Sequence, residues 1–196
     1  MKKSILLKAL LIGLGASPAL AASGPYISGS IGPTFLEDSK VDGVSHAAGY
    51  DTGYALNAAA GYTFGMARLE GAIGYQRSDV NDVLDIPVSG AHVSIFSVMA
   101  NGYLDFDIRD LPVKPYVMAG LGVADVDASL TYAGVEWSKS DTVFATQVGA
   151  GVGIDAGSNP KPDIGYRYFS PSKSEFHGHD LTIDSHMVMA GLRYNF

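Results

Sequence analysis

The chain has no cysteine among its 196 residues. That excludes disulfides, thiolate metal sites, thiol nucleophiles and iron–sulfur clusters. Charged residues are scarce at 17%, below the usual quarter, and basic ones scarcer still, with 13 Lys and Arg against 20 Asp and Glu. A net charge of −7 argues against a nucleic-acid partner, which needs a basic face. Beyond the N-terminus there is no run of 18 apolar residues, so no transmembrane helix is expected. Abundant instead are glycine (24), tyrosine (11) and phenylalanine (8), with a mean hydropathy of +0.15. The length suits one domain. What remains is a soluble β-protein or a membrane barrel.

The first residues read as an export signal. Met1-Lys2-Lys3 is a basic start, Ile5 to Leu14 is apolar except for Lys8, and Ala19-Leu20-Ala21 is a small-x-small cleavage pattern. Cleavage after Ala21 removes Lys2, Lys3 and Lys8 and no acid, leaving a more acidic barrel domain, residues 22–196.

Period-two alternation follows. In Thr52–Phe64, Tyr54, Leu56, Ala58, Ala60, Tyr62 and Phe64 share one face, opposite Gly53, Ala55, Asn57, Ala59, Gly61 and Thr63. Ala67–Arg77 sets Ala67, Leu69, Gly71, Ile73 and Tyr75 against Arg68, Glu70, Ala72, Gly74 and Gln76. Pro25–Leu36, Ala91–Phe106, Pro115–Val126, Thr142–Ile154, Asp163–Ser170 and Ile183–Phe196 read similarly, which makes eight strands. Their connections alternate in length. Glu37–Asp51, Ser78–Gly90, Val126–Asp141 and Pro171–Thr182 are long and acidic, whereas Gly65-Met66, Asp107–Lys114 and Asp155–Pro162 are shorter. Long outside loops and short periplasmic turns are the pattern of an outer-membrane barrel.

The direction of the two faces decides between the candidates. The less apolar face carries Gly, Ala and Ser with occasional charges, and Gly149, Gly151 and Gly153 lie on it near Gly120 and Gly122. Glycine weakens a solvent-facing strand, but it suits a lumen filled by a few long side chains. Tyr62, Phe64, Tyr75, Tyr166, Tyr168, Tyr194 and Phe196 fall near strand ends, as interfacial girdles do. The expectation is an all-β, eight-stranded antiparallel transmembrane barrel in contact with outer-membrane lipid, with a soluble β-sandwich as the fallback.

Met99-Ala-Asn-Gly-Tyr-Leu-Asp-Phe106, Pro115-Tyr-Val-Met-Ala-Gly-Leu-Gly122, Asp163-Ile-Gly-Tyr-Arg-Tyr-Phe169 and Ala190-Gly-Leu-Arg-Tyr-Asn-Phe196 resemble the opacity-protein/surface-antigen family of Gram-negative outer membranes. The resemblance implies an eight-stranded barrel with variable exposed loops, in a surface antigen, adhesin or structural protein. Leu192, Tyr194 and Phe196, alternating on the last strand, look like the signal read by the barrel-assembly machinery; the plainer reading is that they only face lipid.

Candidate chemistry is thin. Arg68, Glu70, Asp163, Arg167 and Arg193 fall on the faces assigned to the lumen, where they are expected to pair and fill the bore; the rival is a narrow charge-lined pore. His177-Gly-His179 with Glu175 and Asp180 has weak metal spacing and reads as solvated loop, so no metal is assigned. His92-x-Ser94 is reminiscent of outer-membrane lipid A deacylases, yet no acid alternates onto the apolar face of Ala67–Arg77, so no catalysis is assigned. Gly13-Leu-Gly15 lies in the signal and is no phosphate loop, and no cofactor is expected. The acidic loops, with Glu37, Asp38, Asp42, Asp51, Asp79, Asp82, Asp85, Asp127, Glu136, Asp141, Glu175 and Asp180 against Lys40, Lys139 and Lys173, read either as a surface for host or surface ligands or as charge that keeps the loops hydrated, with Trp137 the best single contact or an interfacial anchor.

Overall fold

The computed structural model describes residues 23–36, 48–50, 52–83, 86–108, 111–132, 135–154, 159–172, 174–176, 179–181 and 184–196. The signal residues, with Ala19 and Ala21, lie outside the described residues. Eight strands form the wall: β1 (Ser23–Leu36), β2 (Gly53–Phe64), β3 (Ala67–Val83), β4 (Ile86–Asp105), β5 (Val113–Tyr132), β6 (Val135–Ile154), β7 (Lys161–Pro171) and β8 (Ser185–Asn195). Each pairs antiparallel with its chain neighbour, and β1 pairs with β8 through Ile27↔Tyr194 and Ile31↔Ala190, which closes the cylinder. Short strands Ala48–Tyr50, Ser174–Phe176 and His179–Leu181 lie at the long-loop end. Gly65 turns the β2–β3 hairpin at φ 65°, a left-handed conformation that glycine adopts without a Cβ penalty.

Two of the expected loops are mostly strand. The β3–β4 ladder continues to Val83↔Ile86, and the β5–β6 ladder to Tyr132↔Val135. The acidic composition of Ser78–Gly90 and Val126–Asp141 hides an alternation that backbone pairing exploits. β4, β5 and β6 each run 20 residues. At about 3.3 Å per residue and a tilt near 40°, that is roughly 50 Å of height against an apolar band of about 25 Å. Both hairpins therefore stand well clear of a membrane.

The faces point as the glycine pattern implies. Leu69 is 60% exposed and Leu121 57%, while Arg68 is 3% exposed and Glu70 7%. Tyr54, Leu56, Ile73, Phe144, Val148, Ile164 and Leu192 also face outward. Toward the long-hairpin end this polarity inverts. Arg77, Asp79, His92, Ser94, Asp125, Asp127, Ser140 and Thr142 alternate onto the outer side, with Val93, Val126 and Val143 buried inside. The inversion marks where hydrocarbon gives way to water: below it the wall is greasy outside, and above it Val93, Val126 and Val143 turn toward an interior that also buries the hydrogen-bonded Thr34, Gln76 and Ser185. That interior joins Ile95, Met99, Phe169, Met187 and Met189 in one cluster.

Candidate functional site

At the short-turn end the interior is polar, and the strand register builds it. Arg68 and Glu70 face inward on β3, and register sets them opposite Tyr103 and Asn101 of β4. Asp105, two residues beyond Tyr103, accepts from Arg68 Nε at 2.7 Å and from Nη2 at 2.8 Å, the two-point geometry a guanidinium fork favours. The Arg68 guanidinium also lies 4.1 Å from the Tyr103 ring centre and 5.3 Å from that of Tyr116.

Glu70 is satisfied differently. Its carboxylate accepts from Tyr26 (3.1 Å), Ser28 (3.4 Å), Asn101 (3.0 Å) and Tyr103 (3.0 Å), all neutral donors. Gln147 Nε2 donates to Asn101 Oδ1 at 2.6 Å and extends the network to β6. Asp163 lies within electrostatic reach of Arg167, Arg193 and Arg68, and Arg167 within reach of Glu70 and Asp163. Arg193 stands 5.7 Å from the Tyr26 ring centre.

Thus the five charges named from sequence gather in one interior region, but not as mutual pairs. Asp105 is the partner sequence reasoning missed, although it shares an alternation set with Asn101 and Tyr103. Tyr26, Tyr103 and Tyr116 were missed for another reason: large aromatics in a membrane barrel are first assigned to lipid. Glycines on neighbouring strands admit them. A Cβ on Gly61 would stand 2.6 Å from Tyr26 Cζ, and one on Gly151 would stand 2.5 Å from Tyr116 Cζ. Each tyrosine lies across the trough its glycine leaves.

Two small interior cavities lie among the described residues. Cavities beside Arg68–Asp105 and beside Gln76–Met187 measure about 10 and 20 Å³, room for a single water each. A larger groove of about 670 Å³ lies on the outer wall over Gly29, Ala58 and Ala190, and it is not a passage through the bore.

The remaining candidates do not converge. His92 and Ser94 face outward above the apolar band, with Asp79 and Asp127 opposite them in register. No hydrogen bond joins these four among the described residues. His177 lies outside the described residues, and no metal-binding group of three or more His, Cys, Asp or Glu occurs among the described ones. Leu192, Tyr194 and Phe196 face outward, and the last two meet edge to face with ring centres 5.3 Å apart, while Tyr62 and Phe64 form a tilted pair at 4.8 Å. At the opposite rim Tyr54 and Tyr75 lie 6.2 Å apart, and Tyr166 hydrogen-bonds His186.

A model of the outer membrane protein beta-barrel domain matches residues 6–196. The chain belongs to that family. An uncharacterised protein of Brucella suis biovar 1 is 26% identical, over 91% of this chain and 87% of its own, and one of Brucella melitensis biotype 1 matches equally. Among solved structures, Neisserial surface protein A covers 89% of this chain and 99% of its own, at 24% identity and a TM-score of 0.63. Ail, the attachment invasion locus protein of Yersinia pestis, covers 87% and 99% at 23% identity and a TM-score of 0.50. These likenesses carry the fold. The family places the protein in the outer membrane, where short turns face the periplasm and long hairpins face outward.

Proposed function

We propose that the protein is a closed surface barrel, without catalysis, whose projecting acidic hairpins carry adhesion or antigenic recognition. One observation carries this reading: β4, β5 and β6 run to 20 residues, about twice what a tilted membrane strand needs. The additional length is held by continuous backbone ladders to Val83↔Ile86 and Tyr132↔Val135, and loops on a rigid scaffold are where binding usually resides. The Arg68, Glu70, Asp163, Arg167 and Arg193 region then serves as an ion-pair and tyrosine plug rather than a conduit, which disfavours a porin-like role. In the same proposal the signal is cleaved after Ala21, and Leu192, Tyr194 and Phe196 deliver the chain to the barrel-assembly machinery.

The test replaces residues 80–89 and 129–138, separately, by two-residue turns in cells expressing the protein. Adherence to epithelial monolayers should fall for at least one replacement, with heat-modifiable gel migration retained. Undiminished adherence with both hairpins shortened would overturn the proposal.

A further inference from the structure

The β7–β8 seam ends in an unusual way. Its ladder runs from Ser185↔Phe169 to Arg193↔Lys161. There β7 stops, while β8 continues to Asn195. Pro160 and Pro162 flank Lys161 and have no N–H to donate, so the backbone is poorly equipped to carry the ladder further.

Continuing the same register brings residue 159 opposite Asn195, and a contact occurs there through a side chain. Asn159 Nδ2 donates to the Asn195 carbonyl at 2.7 Å, and the Asn195 N–H donates to Asn159 Oδ1 at 3.3 Å. A primary amide presents a donor and an acceptor on one planar group, as a peptide unit does. The reciprocal exchange reproduces an antiparallel rung in which two residues trade both bonds. On its other edge Asn195 pairs with Tyr26 of β1, and Phe196 N donates to the Pro25 carbonyl at 3.1 Å. The end of β8 is thereby held from both sides.

We propose that Asn159 is a positioning residue: its side-chain amide stands in for the rung that the proline-flanked end of β7 lacks, and it latches the end of β8 as the barrel closes. Asp retains the acceptor and loses the donor, whereas Ala loses both. The latch does not depend on Leu192, Tyr194 and Phe196 being read by assembly machinery, because it acts after β8 has docked.

Amide hydrogen exchange of the full barrel folded into phospholipid vesicles, with no assembly factor present, tests it. In Asn159→Ala, exchange at Asn195 should accelerate at least about fivefold, the worth of the bond to its own N–H at about 1 kcal/mol, with Ala60 of β2 unchanged. In Asn159→Asp, Asn195 should stay within about twofold of wild type, since a carboxylate oxygen still accepts its N–H. Equal exchange at Asn195 in wild type and Asn159→Ala would overturn the proposal, as would equal acceleration in both variants. Failure of the assembly-signal reading would instead show in cells, as normal insertion of a Phe196→Ala variant.

Discussion

Asp105→Ala removes the anion that holds the most deeply buried cation of the plug. Arg68 is 3% exposed and Asp105 13%, so solvent screens their bond little. The variant leaves the Arg68 guanidinium among the Tyr26, Tyr103 and Tyr116 rings without its direct ion-pair partner, with Asp163 only within longer electrostatic reach. Stranding one member of a buried pair typically costs 3–5 kcal/mol. Cation–π contacts offset part of this, so a loss of about 3 kcal/mol is expected. Asp105→Ala with Arg68→Ala should be less destabilised than the sum of the single variants, by at least about 1 kcal/mol, because no charge is then left alone. Equilibrium urea unfolding of all four proteins in phospholipid vesicles measures the cycle. A single variant within about 0.5 kcal/mol of wild type, or strict additivity, would refute the plug as drawn.

Other perturbations reach different parts of the wall. Gly151→Ala should destabilise the barrel by about 1–3 kcal/mol, because its Cβ overlaps the Tyr116 ring at 2.5 Å and the Ile164 carbonyl oxygen at 2.6 Å; adding Tyr116→Ala should relieve only the side-chain part of the clash, read by urea unfolding. Ile73→Arg, pointing into lipid, should lose about 2–4 kcal/mol in the same assay, and a neutral result would place that side chain in water. Val126→Asp, buried above the apolar band, should destabilise the projecting hairpins and speed their cleavage by added protease, whereas Asp127→Val on the outer side should not. Planar-bilayer recordings of the wild type should show no reproducible conductance steps, since long charged and aromatic side chains fill a narrow eight-stranded bore and the cavities beside Arg68–Asp105 and Gln76–Met187 hold one water each.

The period-two signal survives without tertiary information because strand geometry alone dictates it, so the eight wall strands were legible along with the faces of Leu69 and Arg68. Direction was legible from glycine: Gly61 and Gly151 fit a crowded lumen and would be weak choices facing water. Partner choice was not legible. Whether Arg68 meets Glu70 or Asp105 depends on register between β3 and β4 and on Tyr26 reaching Glu70 across Gly61, facts that belong to two or three strands at once. The extended hairpins were obscured because polarity inverts above the membrane. Asp79 and Asp127 look like loop residues when acidity is weighed, and like strand residues once Val93, Val126 and Val143 are seen alternating with their neighbours. Asn159 gave no signal in the sequence, since its role exists only opposite Asn195.

Which side of the wall meets hydrocarbon can be measured residue by residue, because the chain has no native cysteine to confuse labelling. Single cysteines at Leu69, Ile73 and Leu121, spin-labelled in phospholipid vesicles, should be mobile and readily relaxed by oxygen. Labels at Ala72, Ser97 and Gln147 should be immobile and shielded from both oxygen and a water-soluble nickel reagent. The reverse pattern, with the leucine positions shielded and Gln147 open to the nickel reagent, would contradict a barrel whose oily face looks outward.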